Sequence, residues 1–231
     1  MFKSALRSLL DLAYPRLCLA CGRDTIPEQE ILCLPCTYQL PKTSQHLYPE
    51  NQFTDRFWGR LDLKAGAAFL YFSKFGRTQQ LLHQLKYRGQ WQVGQKLGQA
   101  YGKLLKEAPL FTGLDLILPV PLHSRRLKKR GYNQSDHFAQ GLSESMGVPW
   151  TSKLIVREQA TVSQTHKTRM ERFRNVQHAF VIPRPKALRG KQVLLVDDVL
   201  TTGATLEAAG LKLMEAGIAS LSMCCLAIAE Q

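Results

Sequence analysis

The chain has no run of about eighteen apolar residues, the minimum for crossing a bilayer as a helix, so a membrane span is excluded at the level of composition. It has no GxxxxGK(S/T), which removes support for nucleotide hydrolysis by a P-loop, and no GxGxxG after an apolar strand-like run, which removes a dinucleotide fold of the Rossmann kind. Internal repeats and low-complexity tracts are absent. The 6 histidines are scattered, with His83 reading as packing or surface and His123 as a neighbour of an anion-binding loop. Negative charge is scarce: 18 Asp and Glu stand against 31 Lys and Arg in 231 residues, a formal net charge of +13. Such an excess concerns partners more than fold, and suits a polyphosphate ligand or a nucleic-acid backbone.

An export signal is missing too. Lys3 and Arg7 precede Leu9 and Leu10, but Asp11 interrupts any signal-peptide core and no small-residue cleavage site follows. Phe2, Ala5, Leu6, Leu9 and Ala13 sit at helical spacing until Pro15, which predicts a short docking helix. Cysteine is sparse, yet four of the 6 form Cys18-Leu-Ala-Cys21 and Cys33-Leu-Pro-Cys36. Two such pairs match the tetrahedral thiolate set of a structural zinc site, without a histidine to suggest an open catalytic position. Two disulfides or a redox pair are the alternatives, and neither suits a chain without an export signal or a thioredoxin-like unit. A cytoplasmic location is therefore expected. Cys224 and Cys225 fall in the apolar run 219–229 and read as buried strand residues.

Residues 193–205 read VLLVDDVLTTGAT and carry the most information in the chain. The apolar residues 193–196 have the make-up of a buried parallel strand, and run straight into Asp197 and Asp198. Thr201, Thr202, Gly203, Ala204 and Thr205 follow, small residues whose backbone amides can approach an anion closely. Leu206, Ala209, Gly210, Leu213, Met214 and Gly217 then recur at helical spacing, so a helix is expected from about Thr205 with its positive dipole end toward the loop. Asp and Thr also end strands and cap helices for local reasons alone. A turn, however, needs neither two carboxylates nor three threonines around one glycine. The stretch reads as a phosphate cradle beside two acceptors for sugar hydroxyls.

The basic residues are clustered. Arg125, Arg126, Lys128, Lys129 and Arg130 form one group, Lys167, Arg169, Arg172 and Arg174 a second, and Arg184, Lys186, Arg189 and Lys191 a third that reads as a solvated face. The first group follows a predicted buried strand over 114–120, so it falls in a loop at a strand's carboxyl end, where open α/β sheets bind ligands. Five cations in so short a stretch repel one another unless an anion lies among them. Elsewhere, strands are predicted over 67–72 and 219–229, and helices over 79–87, from about Trp91 to Ala108, and over 134–146. A polar connector is expected over 41–49. Strands alternating with helices imply a mostly parallel sheet. The segment 159–175 is polar and basic and reads as a mobile lid, its second half also as a plain surface helix.

The 193–205 stretch is similar to the fingerprint of type I phosphoribosyltransferases. That resemblance implies that Asp197 and Asp198 hold the ribose hydroxyls of phosphoribosyl pyrophosphate (PRPP), that Thr201, Thr202, Gly203, Ala204 and Thr205 hold its 5′-phosphate, and that magnesium accompanies the diphosphate. It places a pyrophosphate loop at Pro121, Leu122, His123, Arg125, Arg126, Lys128 and Arg130, and a flexible lid at Gln164, Arg169 and Arg172. Arg130-Gly-Tyr-Asn-Gln134, the LKYRG at 85–89, the four-cysteine ribbon, and Gln164 with Arg172 and Asn175 before Phe180 together resemble the ComF family, which includes proteins linked to DNA uptake in natural competence.

The expected architecture is thus a type I phosphoribosyltransferase-like α/β domain over 61–231, preceded by a helix, zinc ribbon and connector over 1–60. The chain stops soon after the last predicted strand, so any hood over the acceptor is expected from the ribbon and residues 61–87, and the acceptor stays open. Two functions follow: phosphoribosyl transfer, or handling of single-stranded DNA among competence proteins with PRPP as a regulatory or vestigial ligand. The second draws on the +13 charge, the ribbon, and Trp58, Tyr87, Trp91 and Tyr132 near basic residues.

Overall fold

A computed structural model describes residues 15–157 and 179–229. The N-terminal helix expected over residues 2–13, and Gln164, Arg169 and Arg172, lie outside the described residues. In chain order the elements are α1 (Leu34–Tyr38), β1 (Ala65–Phe72), α2 (Arg77–Tyr87), α3 (Gln92–Glu107), β2 (Leu116–Pro119), α4 (Ser124–Arg130), α5 (Gln134–Met146), β3 (Val156–Arg157), β4 (Phe180–Val181), β5 (Gln192–Leu200), α6 (Ala204–Glu215) and β6 (Ser220–Ala229).

The four long strands form one sheet in the order β1-β6-β5-β2, with every pairing parallel. Parallel strands need helical crossovers, which cover both faces and drive both sets of alternating side chains into the core. In β5, Leu194 and Val196 point into one apolar cluster while Val193 and Leu195 point into the other. Cys224 and Cys225 divide the same way on β6, fully buried, as expected for strand residues. The first cluster includes Leu81, Leu85, Tyr101, Phe138 and Leu142 from α2, α3 and α5, and also ribbon residues Leu32, Cys33, Cys36 and Leu40. The second includes Phe53, Phe57, Leu206 and Leu213. Residues 134–146 form a helix as predicted, whereas the basic loop after β2 is helical: Ser124–Arg130 is α4, its first turn capped by the His123 Nδ1, which accepts the Arg125 N–H at 3.2 Å.

The polar connector over 41–49 runs along the outer edge of β1. Thr43 donates its N–H to Phe69 O at 2.9 Å, Pro41 O accepts the Tyr71 N–H at 2.8 Å, and the Gln45 Oε1 accepts the Ala68 N–H at 2.9 Å. These groups complete the outer edge of β1, and Thr43, Gln45 and His46 are buried. The segment is polar because a free strand edge needs hydrogen-bond partners.

Helices α3 and α5 pack backbone to backbone. Gly94, Gly98 and Gly102 recur every four residues along α3 and face α5, where a Cβ on Gly98 would lie 2.5 Å from Phe138 O; a Cβ on Gly141 would lie 2.0 Å from Gln95 O. Closing the gap sets the depth at which α5 presents its first turn to the sheet. Gly141→Ala therefore tests packing against propensity. Alanine favours an isolated helix by about 1 kcal/mol, but here the methyl must displace backbone, and a net loss of about 1–3 kcal/mol is expected in denaturant unfolding. A stabilised variant would show that the helices are less closely apposed.

Candidate functional site

Beyond the carboxyl ends of β2 and β5 lies a cleft of about 870 Å³. Parallel strands place such clefts there because their crossover loops diverge at that end. Asp197 and Asp198 line it, within β5 rather than beyond its end: the ladder continues to Leu200, with Asp197 opposite Cys225 on β6. The Asp197 Oδ1 accepts a hydrogen bond from Ser135 Oγ at 2.9 Å and another from the Asp198 N–H at 2.8 Å. The Asp198 Oδ2 meets Lys86 Nζ at 2.9 Å. Burial, reinforced by the Asp198 charge, pushes the Asp197 carboxyl up to about 7, with its two hydrogen bonds and Lys86 pulling the other way.

The loop from Thr201 to Thr205 leaves β5 and enters α6. Gly203 sits at φ 84°, and an added Cβ would come within 3.0 Å of Phe57 Cε1, so both the backbone turn and the space require glycine. Arg56 braces the loop, donating from Nη1 to Thr201 O and from Nη2 to Ala229 O at 2.5 Å. Thr201 and Thr205 line the cleft; Thr202 is exposed, and Gly203 and Ala204 form the turn and first helical residue. The backbone of this turn, at the positive end of a 12-residue helix, suits a phosphate.

Residues of α4, the first turn of α5 and the last turns of α2 also line the cleft. Pro121, Leu122, Arg126 and Arg130 line the cleft, whereas His123, Arg125 and Lys128 are not among its lining residues. His123 acts as the α4 cap, and Arg125 and Lys128 are exposed. Sequence reasoning missed Lys86, Ser135 and Arg157 as cleft residues, whereas Lys129 of the predicted basic group does line the cleft. The LKYRG at 85–89 was the available signal for Lys86; nothing local marks Ser135. Asn133 fixes the approach of α5 by donating from Nδ2 to Val120 O at 3.1 Å and to Asp136 Oδ1 at 2.6 Å. Burial raises the Asp136 carboxyl to about 6 despite that bond. Tyr132 donates its hydroxyl to Leu85 O, tying α2 to α5, and the Arg130 guanidinium lies 5.5 Å from the Tyr87 ring centroid. The stem pair β3–β4 brings together the residues that flank 158–178, with Arg157 on the cleft side.

Away from the cleft, the ligand atoms of Cys18, Cys21, Cys33 and Cys36 all lie within 4.8 Å of one another. All four thiols are free of disulfides. Cys21 and Cys33 Sγ are 3.9 Å apart, near the edge of about 3.8 Å that four sulfurs define around a zinc ion. The cluster can hold a metal ion. Arg77, the first residue of α2, donates from Nε to Cys36 Sγ at 3.4 Å, so the ribbon is fastened to the helix that delivers Lys86. No ribbon residue lines the cleft itself, while Phe72, Leu82, His83 and Tyr87 do.

A family model for the phosphoribosyl transferase domain matches residues 133–230, from the first turn of α5 to the end of β6. The DNA utilization protein YhgH of Escherichia coli (strain K12) is 32% identical over 225 residues, covering 95% of this chain and 93% of that protein. The protein of the same name from Salmonella typhi is 37% identical over 149 residues, and the match spans 63% of this chain and 65% of its relative's length. Competence protein F of Haemophilus influenzae (strain Rd) is 31% identical over 147 residues, 62% of this chain and 64% of that one. The parallel sheet, the acidic pair and the loop before α6 define a type I phosphoribosyltransferase-like fold, carrying a four-cysteine cluster that can bind a metal. At the level of sequence over nearly its whole length, the chain belongs to the ComF family. Among the described residues no helix is long and apolar enough to cross a membrane.

The state of Asp197 has a measurable sign. Its carboxyl titrates at about 7 when folded and near the ordinary value of 3.8 when unfolded, so between those values the folded chain holds the extra proton. Its contribution to stability is present below the lower value and is lost as pH rises through 7. Asp197→Asn removes this titration. Denaturant unfolding from pH 4 to 8 is expected to show the variant gaining on the wild type as pH rises; a constant difference would contradict the assignment.

Proposed function

We propose that the chain binds PRPP with magnesium in this cleft and transfers its phosphoribosyl group to a nucleophilic acceptor. The observation that carries this reading is that Asp197, Asp198, Thr201 and Thr205 line one cleft together with Arg126, Lys129 and Arg130 of α4. Asp197 and Asp198 accept the ribose hydroxyls, and the backbone amides of the turn hold the 5′-phosphate. Arg126 and Arg130 face the diphosphate. The two aspartates also supply the hard oxygen donors that magnesium prefers, and the ion when bound neutralises charge on the leaving diphosphate. In the transfer the bond from the anomeric carbon to the diphosphate oxygen breaks, its electron pair leaves with the diphosphate, and the acceptor forms the new bond. Positive charge developing on the ribose ring is stabilised by the carboxylate pair, without covalent participation by the protein.

Gln164, Arg169 and Arg172 belong to the same proposal as the lid that excludes water, rooted at β3 and β4. The hood over the acceptor is assigned to β1 and α2, whose Phe72, His83 and Tyr87 wall the cleft; residues 61–231 act as the transferase unit and residues 1–60 as its support.

The central test is calorimetric titration of PRPP with magnesium into the wild type and into Asp197→Ala/Asp198→Ala. Binding by the wild type and loss of it in the double variant are expected; unchanged affinity would falsify the pocket. A second reading, single-stranded DNA handling, draws on the printed names of the relatives and on Tyr87 and Trp58, exposed by 68% and 79%. On that reading the double variant keeps DNA binding, since losing two negative charges does not weaken phosphate contacts, and affinity falls steeply with salt.

The ribbon is assigned a structural zinc, in keeping with four clustered thiols and a packed apolar surround. Metal analysis of reduced protein is expected to give about one equivalent of zinc. Cys33→Ala should lose the metal and lower the melting temperature, and zinc-free protein with all four thiols reduced would refute the assignment.

A further inference from the structure

Arg157 lines the cleft from β3, and Arg126 lines it from α4. Their charges repel, while Asp197 is the carboxylate that Arg157 senses. Among the described residues neither guanidinium has a carboxylate at ion-pair distance; the cleft's one such pair is Lys86 with Asp198. Arg157 is instead held over the Phe180 ring, 5.3 Å from its centroid, a contact that fixes its position without neutralising it. Lys86, Arg126, Lys129, Arg130 and Arg157 thus line the cleft against two carboxylates. Beside them lies Gln134, 1% exposed, a cleft-lining residue whose Nε2 has no hydrogen-bond partner. Two cleft-lining guanidiniums without a carboxylate partner and an unmatched amide donor share one need, an anion with several acceptor oxygens.

We propose that Arg157, together with Arg126 and Gln134, grips the diphosphate of the bound ligand, and that Arg157 is what separates a ribose diphosphate from a ribose monophosphate. The proposal rests on the PRPP reading and sharpens it. Arg157 stands outside the basic stretch 125–130, so the grip draws on two elements: α4 supplies Arg126, and the β3–β4 pair supplies Arg157. A guanidinium suits this task because its fork matches two phosphate oxygens at once and its charge is permanent.

Titrations of the wild type, Arg157→Met and Arg157→Lys with PRPP, inorganic pyrophosphate and ribose 5-phosphate, each with magnesium, provide the test. Arg157→Met is expected to weaken PRPP and pyrophosphate by about tenfold to a hundredfold, the usual effect of one charge-assisted contact. Ribose 5-phosphate should bind the variant as it binds the wild type, which also shows that the cleft is folded. Arg157→Lys, which keeps the charge and loses the fork, should fall between. Unchanged PRPP affinity in Arg157→Met, with normal binding by the wild type, overturns the role of Arg157 and leaves the PRPP reading standing. Equal weakening of ribose 5-phosphate also overturns it, since the effect would then be general. If the wild type ignores PRPP but binds pyrophosphate in an Arg157-dependent manner, the grip stands and the PRPP reading falls. Wild type that binds neither overturns both.

Discussion

Two carboxylates on consecutive residues at the buried end of a central strand form the constraint around which the rest of this molecule is arranged. Their mutual repulsion and loss of hydration oppose folding, and the chain answers with groups drawn from distant parts of the sequence. Ser135 arrives from the first turn of α5, Lys86 from the last turn of α2, and the Asp198 amide from the strand itself. Each donor is useful only if its helix reaches the right depth. For α5 that depth follows from the glycine contact with α3, and for α2 from the Tyr132 hydroxyl at one end and the Arg77 contact with Cys36 at the other. The ribbon therefore acts on the cleft through α2, though it contributes no lining residue.

The compensation is incomplete, and that incompleteness is informative. Asp197 holds a proton up to about pH 7, and the cations lining the cleft outnumber the carboxylates. A site lined by unbalanced charge of both signs suits a ligand that has hydroxyls at one end and several phosphate oxygens at the other. The turn at Gly203 adds the backbone amides that a second phosphate requires.

Much of this was legible in the chain because its signals are local. Residues 193–205 announce strand, acidic pair, turn and helix in one stretch, and the two cysteine pairs announce a thiol cluster that can hold a metal ion. Helix 134–146 was read from the sequence and forms over those residues. What escaped is non-local or carried by small residues. Gly94, Gly98, Gly102 and Gly141 are silent to a search for apolar periodicity, because their contribution is the absence of a side chain. Residues 41–49 read only as a polar connector, because an edge-completing segment and a loop have similar polar composition. The basic stretch 125–130 read as a loop because five cations conceal a helix whose cap, His123, lies just before it. Ser135 and Arg157 lie outside the recognised motif core and acquire meaning only when β2, β5 and the β3–β4 stem converge.

The position of the ligand is the point on which all of this turns. A crystal structure of the protein with PRPP and magnesium measures it directly. The account predicts ribose hydroxyls within hydrogen-bonding distance of Asp197 and Asp198, the 5′-phosphate on the backbone amides between Thr201 and Thr205, and the diphosphate between Arg126 and Arg157. A ligand bound in the reverse sense, with its diphosphate on the Gly203 turn, or bound outside this cleft, would contradict it.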